Sequence, residues 1–126
     1  MLTARDIMTR EVITVRPNVN LKETVRMLVE NKISGMPVCD EHNHLVGMIS
    51  EKDILNFMFS GNLESTTVEE AMSKHIISFT PDTPIDKISL TIGEKQIRRV
   101  PILEKGKLVG VVSRRSIIRT VLDLPK

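Results

Sequence analysis

The chain has no tryptophan, no tyrosine and only three phenylalanines among 126 residues. Its core must therefore be aliphatic, built from Val, Ile, Leu and Met, and it lacks the aromatic platforms on which single-stranded nucleic acid stacks. A single cysteine, Cys39, excludes an internal disulfide framework and suits a reducing cytosol. Excess charge is missing too. Eighteen Lys and Arg against 16 Asp and Glu leave a formal +2, too little for a strong non-specific pull on nucleic acid or a membrane surface. No apolar run approaches the roughly 18 residues needed to span a bilayer. The amino terminus shows no signal-peptide pattern. These absences lead us to expect a soluble, cytoplasmic, free-standing protein with no membrane partner.

What is present is a duplication. The stretch Leu45-Val46-Gly47-Met48-Ile49-Ser50-Glu51-Lys52-Asp53-Ile54-Leu55 returns as Leu108-Val109-Gly110-Val111-Val112-Ser113-Arg114-Arg115-Ser116-Ile117-Ile118. Shifting the sequence by 64 positions also lays Met8 on Met72, Pro17 on Pro81, Leu21 on Ile85, Ile33 on Ile97 and Pro37 on Pro101. The offset then falls to 63, because the polar turn Asp40-Glu41-His42-Asn43-His44 is one residue longer than Glu104-Lys105-Gly106-Lys107. Each half, at roughly 60 residues, is marginal as a lone core, so the halves are expected to pack on each other. The boundaries read as a first repeat over residues 1–60, a linker over 61–66 and a second repeat over 67–126.

Within each repeat the signals come in the same order. Thr3 with Asp6, and Thr67 with Glu70, have the spacing of a capping box and open short helices ending near Met8 and Met72. Val12-Ile13-Thr14-Val15 and Ile76-Ile77-Ser78-Phe79 read as β-branched strands stopped by Pro17 and Pro81. Asn20 caps the next helix, with Leu21, Val25, Leu28 and Val29 as its buried stripe. In the second repeat Thr83 precedes Pro84 as first helical residue, with Ile85, Ile88 and Ile92 inward. Met36-Pro37-Val38-Cys39 and Val100-Pro101-Ile102-Leu103 each turn back into the glycine-containing strand as an antiparallel hairpin. That strand runs into a helix starting at Ser50 or Ser113. The fold class is α+β, with two β-α-β-β-α repeats.

This order, its repetition, the Gly47-Met48-Ile49-Ser50-Glu51-Lys52-Asp53 ending and the Met-Pro and Val-Pro openings of the hairpins together resemble a tandem pair of CBS domains, a Bateman module. The resemblance covers about residues 3 to 122. It implies two pseudo-symmetric repeats packed sheet to sheet as one regulatory module with two clefts. Members commonly bind adenine nucleotides, sometimes S-adenosylmethionine, and often dimerise into a flat four-repeat disk.

The resemblance also implies roles for particular residues. Ser50 and Asp53 fall where the family pattern places its ribose contact, the acid accepting bonds from the sugar hydroxyls. The same pair at the same spacing also reads as one more capping box, and the two readings are compatible. Arg98 and Arg99 stand where nucleotide-binding relatives reach phosphate, a task that suits guanidinium; as adjacent arginines in a turn they also read as a solvated pair. Arg114 and Arg115 sit in a first helical turn, where cations are unfavourable unless an anion lies near. Ile13, Thr14, Met36 and Pro37 take the place of the adenine slot and read equally as core. The second cleft, from Ile77, Ser78, Val100, Pro101, Ser113 and Ser116, has Ser116 where the acid belongs and is expected to bind more weakly or not at all.

Other chemistry is thinly supported. His42 and His44 flank Asn43 in a polar turn, with only Asp40 and Glu41 adjoining, which argues against a metal. Cys39, in a strand, reads as a small apolar filler. No Ser–His–Asp set, paired catalytic carboxylates or Walker-type loop stands out, so no enzyme is expected. The regulatory ligand is expected to be AMP, ADP or ATP. S-adenosylmethionine is less favoured because its sulfonium gains nothing from two guanidiniums. The surplus apolar residues of the terminal helices, near Phe57, Phe59, Ile118 and Leu122, point to a homodimer, with an unidentified target protein as a further partner. A nucleotide-independent scaffold is the alternative from another class. Nucleic-acid binding through Arg98, Arg99, Lys105, Lys107, Arg114, Arg115 and Arg119 is opposed by the missing aromatics and the near-neutral total.

Overall fold

Two β-hairpins, one per sequence repeat, organise the structure, a computed structural model that describes residues 1–59 and 61–123. Ser60, which closes the first repeat, and residues 124–126, which close the second, lie outside the described residues. The elements run α1 (Ala4–Ile7), α2 (Leu21–Asn31), β1 (Gly35–Cys39), β2 (Leu45–Ser50), α3 (Glu51–Met58), α4 (Val68–Ala71), α5 (Ile85–Lys95), β3 (Arg99–Glu104), β4 (Lys107–Ser113) and α6 (Arg114–Asp123). Strands β1 and β2 form one two-stranded antiparallel sheet, and β3 and β4 another. The fold is α+β, as the alternation of periods in the sequence requires.

The chain divides into two compact units, one holding Ile13–Ile76 and the other Met1–Val12 with the chain from Ile77 onward. The cut does not follow the repeats. Thr9 and Val111 exchange N–H···O bonds of 2.9 and 3.0 Å, so α1 adds to the hairpin of the second repeat. In the same way Ser73 and Met48 exchange bonds of 2.9 and 3.0 Å, and α4 adds to the hairpin of the first. Each unit has its own aliphatic core. Leu21, Met36, Val38 and Ile49 are central to one; Ile88, Val100, Ile102 and Val112 are central to the other. The 61–66 segment is fastened down in its unit, since the Leu63 and Thr66 carbonyls accept the Lys22 and Leu21 N–H groups at the start of α2.

Helix starts follow the capping signals. Asn20 Oδ1 accepts the Glu23 N–H at 2.9 Å, and capping boxes close α1 through Thr3 and Asp6 and α4 through Thr67 and Glu70. Helix α5 differs from expectation by one residue: Pro84, at φ −62° and ψ 142°, is its cap, and Ile85 is its first residue. The Ile85 N–H goes to the Leu2 carbonyl, outside the helix.

The expected strands before α2 and α5 are corrected. Val15 and Phe79 each make a single parallel bridge, to Val38 and Ile102, and no longer strand forms. Proline explains the truncation at both ends. Val15 donates to the Pro37 carbonyl at 3.1 Å and accepts from the Cys39 N–H at 3.0 Å. Extending that parallel ladder needs an N–H from Pro37 on one side and from Pro17 on the other, and neither has one. Phe79 is clipped identically by Pro101 and Pro81. The stripe on α2 also shifts. Leu21, Thr24 and Leu28 are buried, Thr24 by sending its hydroxyl to the Asn20 carbonyl at 2.8 Å, whereas Val29 is 70 % exposed. In α5, Ile88 and Ile92 are buried and Ile85 is only half-buried.

Candidate functional site

In the first-repeat unit, β2 delivers its last residue, Ser50, as the cap of α3. Ser50 is extended (φ −128°, ψ 166°), so its side chain meets the first turn. Its hydroxyl accepts the Asp53 N–H at 3.3 Å, while its own N–H and hydroxyl donate to Asp53 Oδ2 at 2.9 and 3.0 Å. The box thus forms in full. Both of those bonds fall on Oδ2; Oδ1 takes none from the described residues. A half-buried carboxylate is thereby held rigidly at a helix start, where backbone donors and the dipole favour negative charge and polar ligands. The Glu51 N–H, another group of that first turn, goes to the Ser34 carbonyl at 2.9 Å.

The second unit repeats the geometry with different chemistry. The Arg114 N–H goes to the Arg98 carbonyl at 2.7 Å, as Glu51 does to Ser34. That bond fastens the backbone of the arginine pair to the start of α6. Ser113 and Ser116 are bonded hydroxyl to hydroxyl at 2.8 Å, and Ser113 Oγ accepts the Ser116 N–H at 3.0 Å. This cap is neutral. Arg98 is exposed and Arg99 half-buried at the head of β3. Arg114, Arg115 and Arg119 line a groove of about 360 Å³ with Ile118.

Comparison with known proteins decides the family. The CBS domain model matches twice, over residues 4–60 and 68–123. The chain belongs to the CBS domain family. It is 33% identical over 114 residues to CBS domain-containing protein YhcV of Bacillus subtilis, covering 90% of this chain and 81% of that one. Among solved structures it superposes on CBSX2 in complex with AMP with a TM-score of 0.89, 27% identity and 97% of each chain covered. The CBS domain pair of protein MJ0100, in complex with 5′-methylthioadenosine and S-adenosyl-L-methionine, gives a TM-score of 0.83 at 28% identity over 96% of each chain. Two longer curated relatives are matched only in part, the chain spanning 41% of one and 22% of the other.

The remaining CBS candidates are distributed unevenly between surface and core. Met36 and Pro37 are buried, Thr14 is half-buried and Ile13 is 39 % exposed. In the second unit Val100 and Pro101 are buried, Ser78 is exposed and Ile77 is 36 % exposed. The exposed isoleucines are a consequence of the clipped ladders, which leave the chain before each bridge outside the sheet. Cys39 is buried, and that burial pushes its thiol above the ordinary value. Asp40 accepts the His42 and His44 N–H groups on Oδ1, both at 2.9 Å, so this carboxylate organises the turn. Among the described residues no helix is long and apolar enough to cross a membrane.

One feature escaped the sequence reading. In the first-repeat unit, α2 and α3 leave a groove of about 280 Å³ between them, walled by Val25, Val29, Leu55 and Met58 with Glu51 at its edge. The wide apolar spread of α3 was visible in the sequence, but Val29 was expected inward.

Proposed function

We propose that this CBS pair is a regulatory binding module, not an enzyme, and that its ligand is an adenine nucleotide. The observation that carries the reading is the Ser50–Asp53 box, a carboxylate fixed at a helix start with one oxygen left over for ribose hydroxyls. Arg98 and Arg99 supply the phosphate contact, and Ile13, Thr14, Met36 and Pro37 the adenine slot. The carboxylate and the arginines belong to different compact units. Binding then favours one relative arrangement of the repeats or of a dimer, and that differential affinity is the signal. The cleft on Ser113 and Ser116, with Ile77, Ser78, Val100 and Pro101, binds weakly for lack of an acid. The complexes of CBSX2 with AMP and of the MJ0100 pair with S-adenosyl-L-methionine support an adenosyl ligand. The two guanidiniums favour a phosphate over a sulfonium.

Calorimetric titration with AMP, ADP, ATP and S-adenosylmethionine tests this. A nucleotide should bind below millimolar. Asp53→Ala should weaken it at least about tenfold, since charge-assisted hydrogen bonds contribute roughly 1.5–3 kcal/mol. Joint replacement of Arg98 and Arg99 by Ala should remove the preference for phosphorylated ligands. If nothing binds below millimolar, or Asp53→Ala binds equally well, the site assignment is wrong.

The apolar residues left outside favour a second reading, a nucleotide-independent scaffold that assembles as a homodimer through the helices near Phe57, Phe59, Ile118 and Leu122. Phe57 is half-buried, but Phe59 is 96 % exposed, Leu122 79 % and Ile118 61 %. Light scattering with and without nucleotide separates the two, because a scaffold keeps its mass and its melting temperature in both.

A further inference from the structure

The near-neutral total of the chain is a cancellation. The unit that holds Met1–Val12 and the chain from Ile77 onward carries twelve Lys and Arg against seven Asp and Glu, a formal +5. The unit Ile13–Ile76 carries six against nine, a formal −3. The surplus is also concentrated. The Arg114 N–H meets the Arg98 carbonyl at 2.7 Å, and Arg99 pairs across the hairpin with Ser113, the residue before Arg114. With Arg115 and Arg119 on the first two turns of α6, five arginines gather at one end of the β3–β4 hairpin. Lys105 and Lys107 stand exposed at the turn that closes its other end, β3 separating the two groups by about 17 Å. Arg98, Arg114, Arg115 and Arg119 are exposed, and none forms a salt bridge with the described residues.

The duplication shows that folding does not ask for these cations. The matching places in the other unit hold Ser34, Gly35, Glu51, Lys52 and Asn56, and its turn holds Asp40 and Glu41, around the same hairpin and helix. Cations elsewhere have partners, Arg5 with Asp82 and Arg26 with Glu23. An arginine-rich edge without such partners repels itself and is the electrostatic footprint of a polyanion. Guanidinium, with its planar fork of donors, matches phosphate oxygens. We infer that this edge of the second-repeat unit docks on double-stranded nucleic acid, through the phosphates and without reading sequence. Cation groups about 17 Å apart suit a line of roughly five phosphates, spaced by about 3.4 Å of axis along one strand. A single small anion offers no such line. The missing aromatics do not count against a duplex, whose bases stay stacked on one another, since stacking platforms serve single strands.

Fluorescence anisotropy of a labelled two-turn DNA duplex tests this. The wild type should bind at low salt and weaken about 40-fold or more between roughly 50 and 200 mM, as three or more neutralised phosphates require. Joint replacement of Arg114, Arg115 and Arg119 by Gln should weaken binding at least about tenfold at low salt and flatten the salt dependence. Lys105→Gln with Lys107→Gln, at the far end of the hairpin, should act in the same direction, so the outcome does not hang on the folding of one variant. Joint replacement of Arg26, Lys32 and Lys74 by Gln, three exposed cations of the acidic unit, should leave affinity and salt slope unchanged. None of these positions belongs to the nucleotide site proposed above, so titration with AMP, ADP and ATP reports on that reading separately. No binding at low salt overturns the inference, as does an equal loss in the acidic-unit variant. Tighter binding to a single strand, or to polyglutamate, overturns it as well and assigns the edge to another polyanion.

Discussion

Met8 packs over Gly110 in the position that a side chain on β4 would occupy. A Cβ on Gly110 would stand 2.6 Å from Met8 Sδ and 2.8 Å from its Cγ, and the first-repeat unit repeats the arrangement with Met72 over Gly47. Glycine in a strand normally weakens it, so its place here is explained by this close approach. The pairs also bind each repeat's opening segment into the other's hairpin unit, since Met8 and Met72 are the C-caps of α1 and α4.

Gly110→Ala should therefore overpack the contact and cost about 1–3 kcal/mol, nearer the low end because methionine is adaptable. Combining it with Met8→Ala should recover stability, the double variant exceeding the sum of the singles by about 1 kcal/mol or more. Chemical denaturation of the four species measures the coupling; strict additivity would mean that the two residues do not share the space.

Lys32 and Gln96, 64 positions apart like so much else in the repeat, end α2 and α5 in the left-handed region, both at φ 54°. Side chains with a Cβ are disfavoured there by roughly 1–2 kcal/mol, and glycine is the usual solution. Lys32→Gly and Gln96→Gly should each raise stability by up to about 1 kcal/mol, the gain being trimmed by the greater freedom of glycine in the unfolded chain. Thermal melts of the two variants suffice, and a fall in melting temperature for both would contradict the argument.

Asp40 ties stability to pH. The His44 N–H first, and then that of His42, hold its carboxyl below the ordinary value of 3.8. A depressed carboxylate stabilises the fold above its unfolded pKa, and that contribution is lost as pH falls through the lower folded value. Asp40→Ala should thus be less stable than wild type at pH 7, with the gap narrowing below about pH 4. Denaturation midpoints at pH 7, 5 and 3 trace it. A gap that stays constant to pH 3 would mean that the charge on Asp40 is immaterial to the turn.

Much of this was legible in the sequence because its signals are local. Capping boxes act over three residues and hairpin turns over a few more, so α1, α3, α4 and both hairpins follow directly from residue types. The clipped ladders were readable in principle: Pro17 and Pro37, like Pro81 and Pro101, flank each bridge, but their joint effect depends on the parallel pairing partner. Val29 lies outside because periodicity gives the centre of a stripe and not its edge, and Thr24 can be buried because its hydroxyl is satisfied on the backbone. The exchange of α1 and α4 between the repeats is a tertiary fact that the duplication itself conceals. Of the candidate site, the capping geometry of Ser50 with Asp53 and of Ser113 with Ser116 could be read from spacing, whereas the ribose role of Asp53 is what the family resemblance implies.

The neutral cap of α6 offers the most direct probe of the ligand reading. Ser116 occupies the position that Asp53 holds in α3, yet it offers only a hydroxyl bonded to Ser113. Ser116→Asp should complete a capping box and place a negative charge in a first turn that now carries two arginines and no acid. Both effects are favourable, together about 0.5–1.5 kcal/mol. The variant should also give the second cleft the acid it lacks, so a nucleotide that binds one site in the wild type should bind two in the variant. Calorimetric stoichiometry and thermal shift read the two consequences separately. Added stability with unchanged stoichiometry would limit the carboxylate at this position to capping, and would withdraw the support that Asp53 gives to ribose binding.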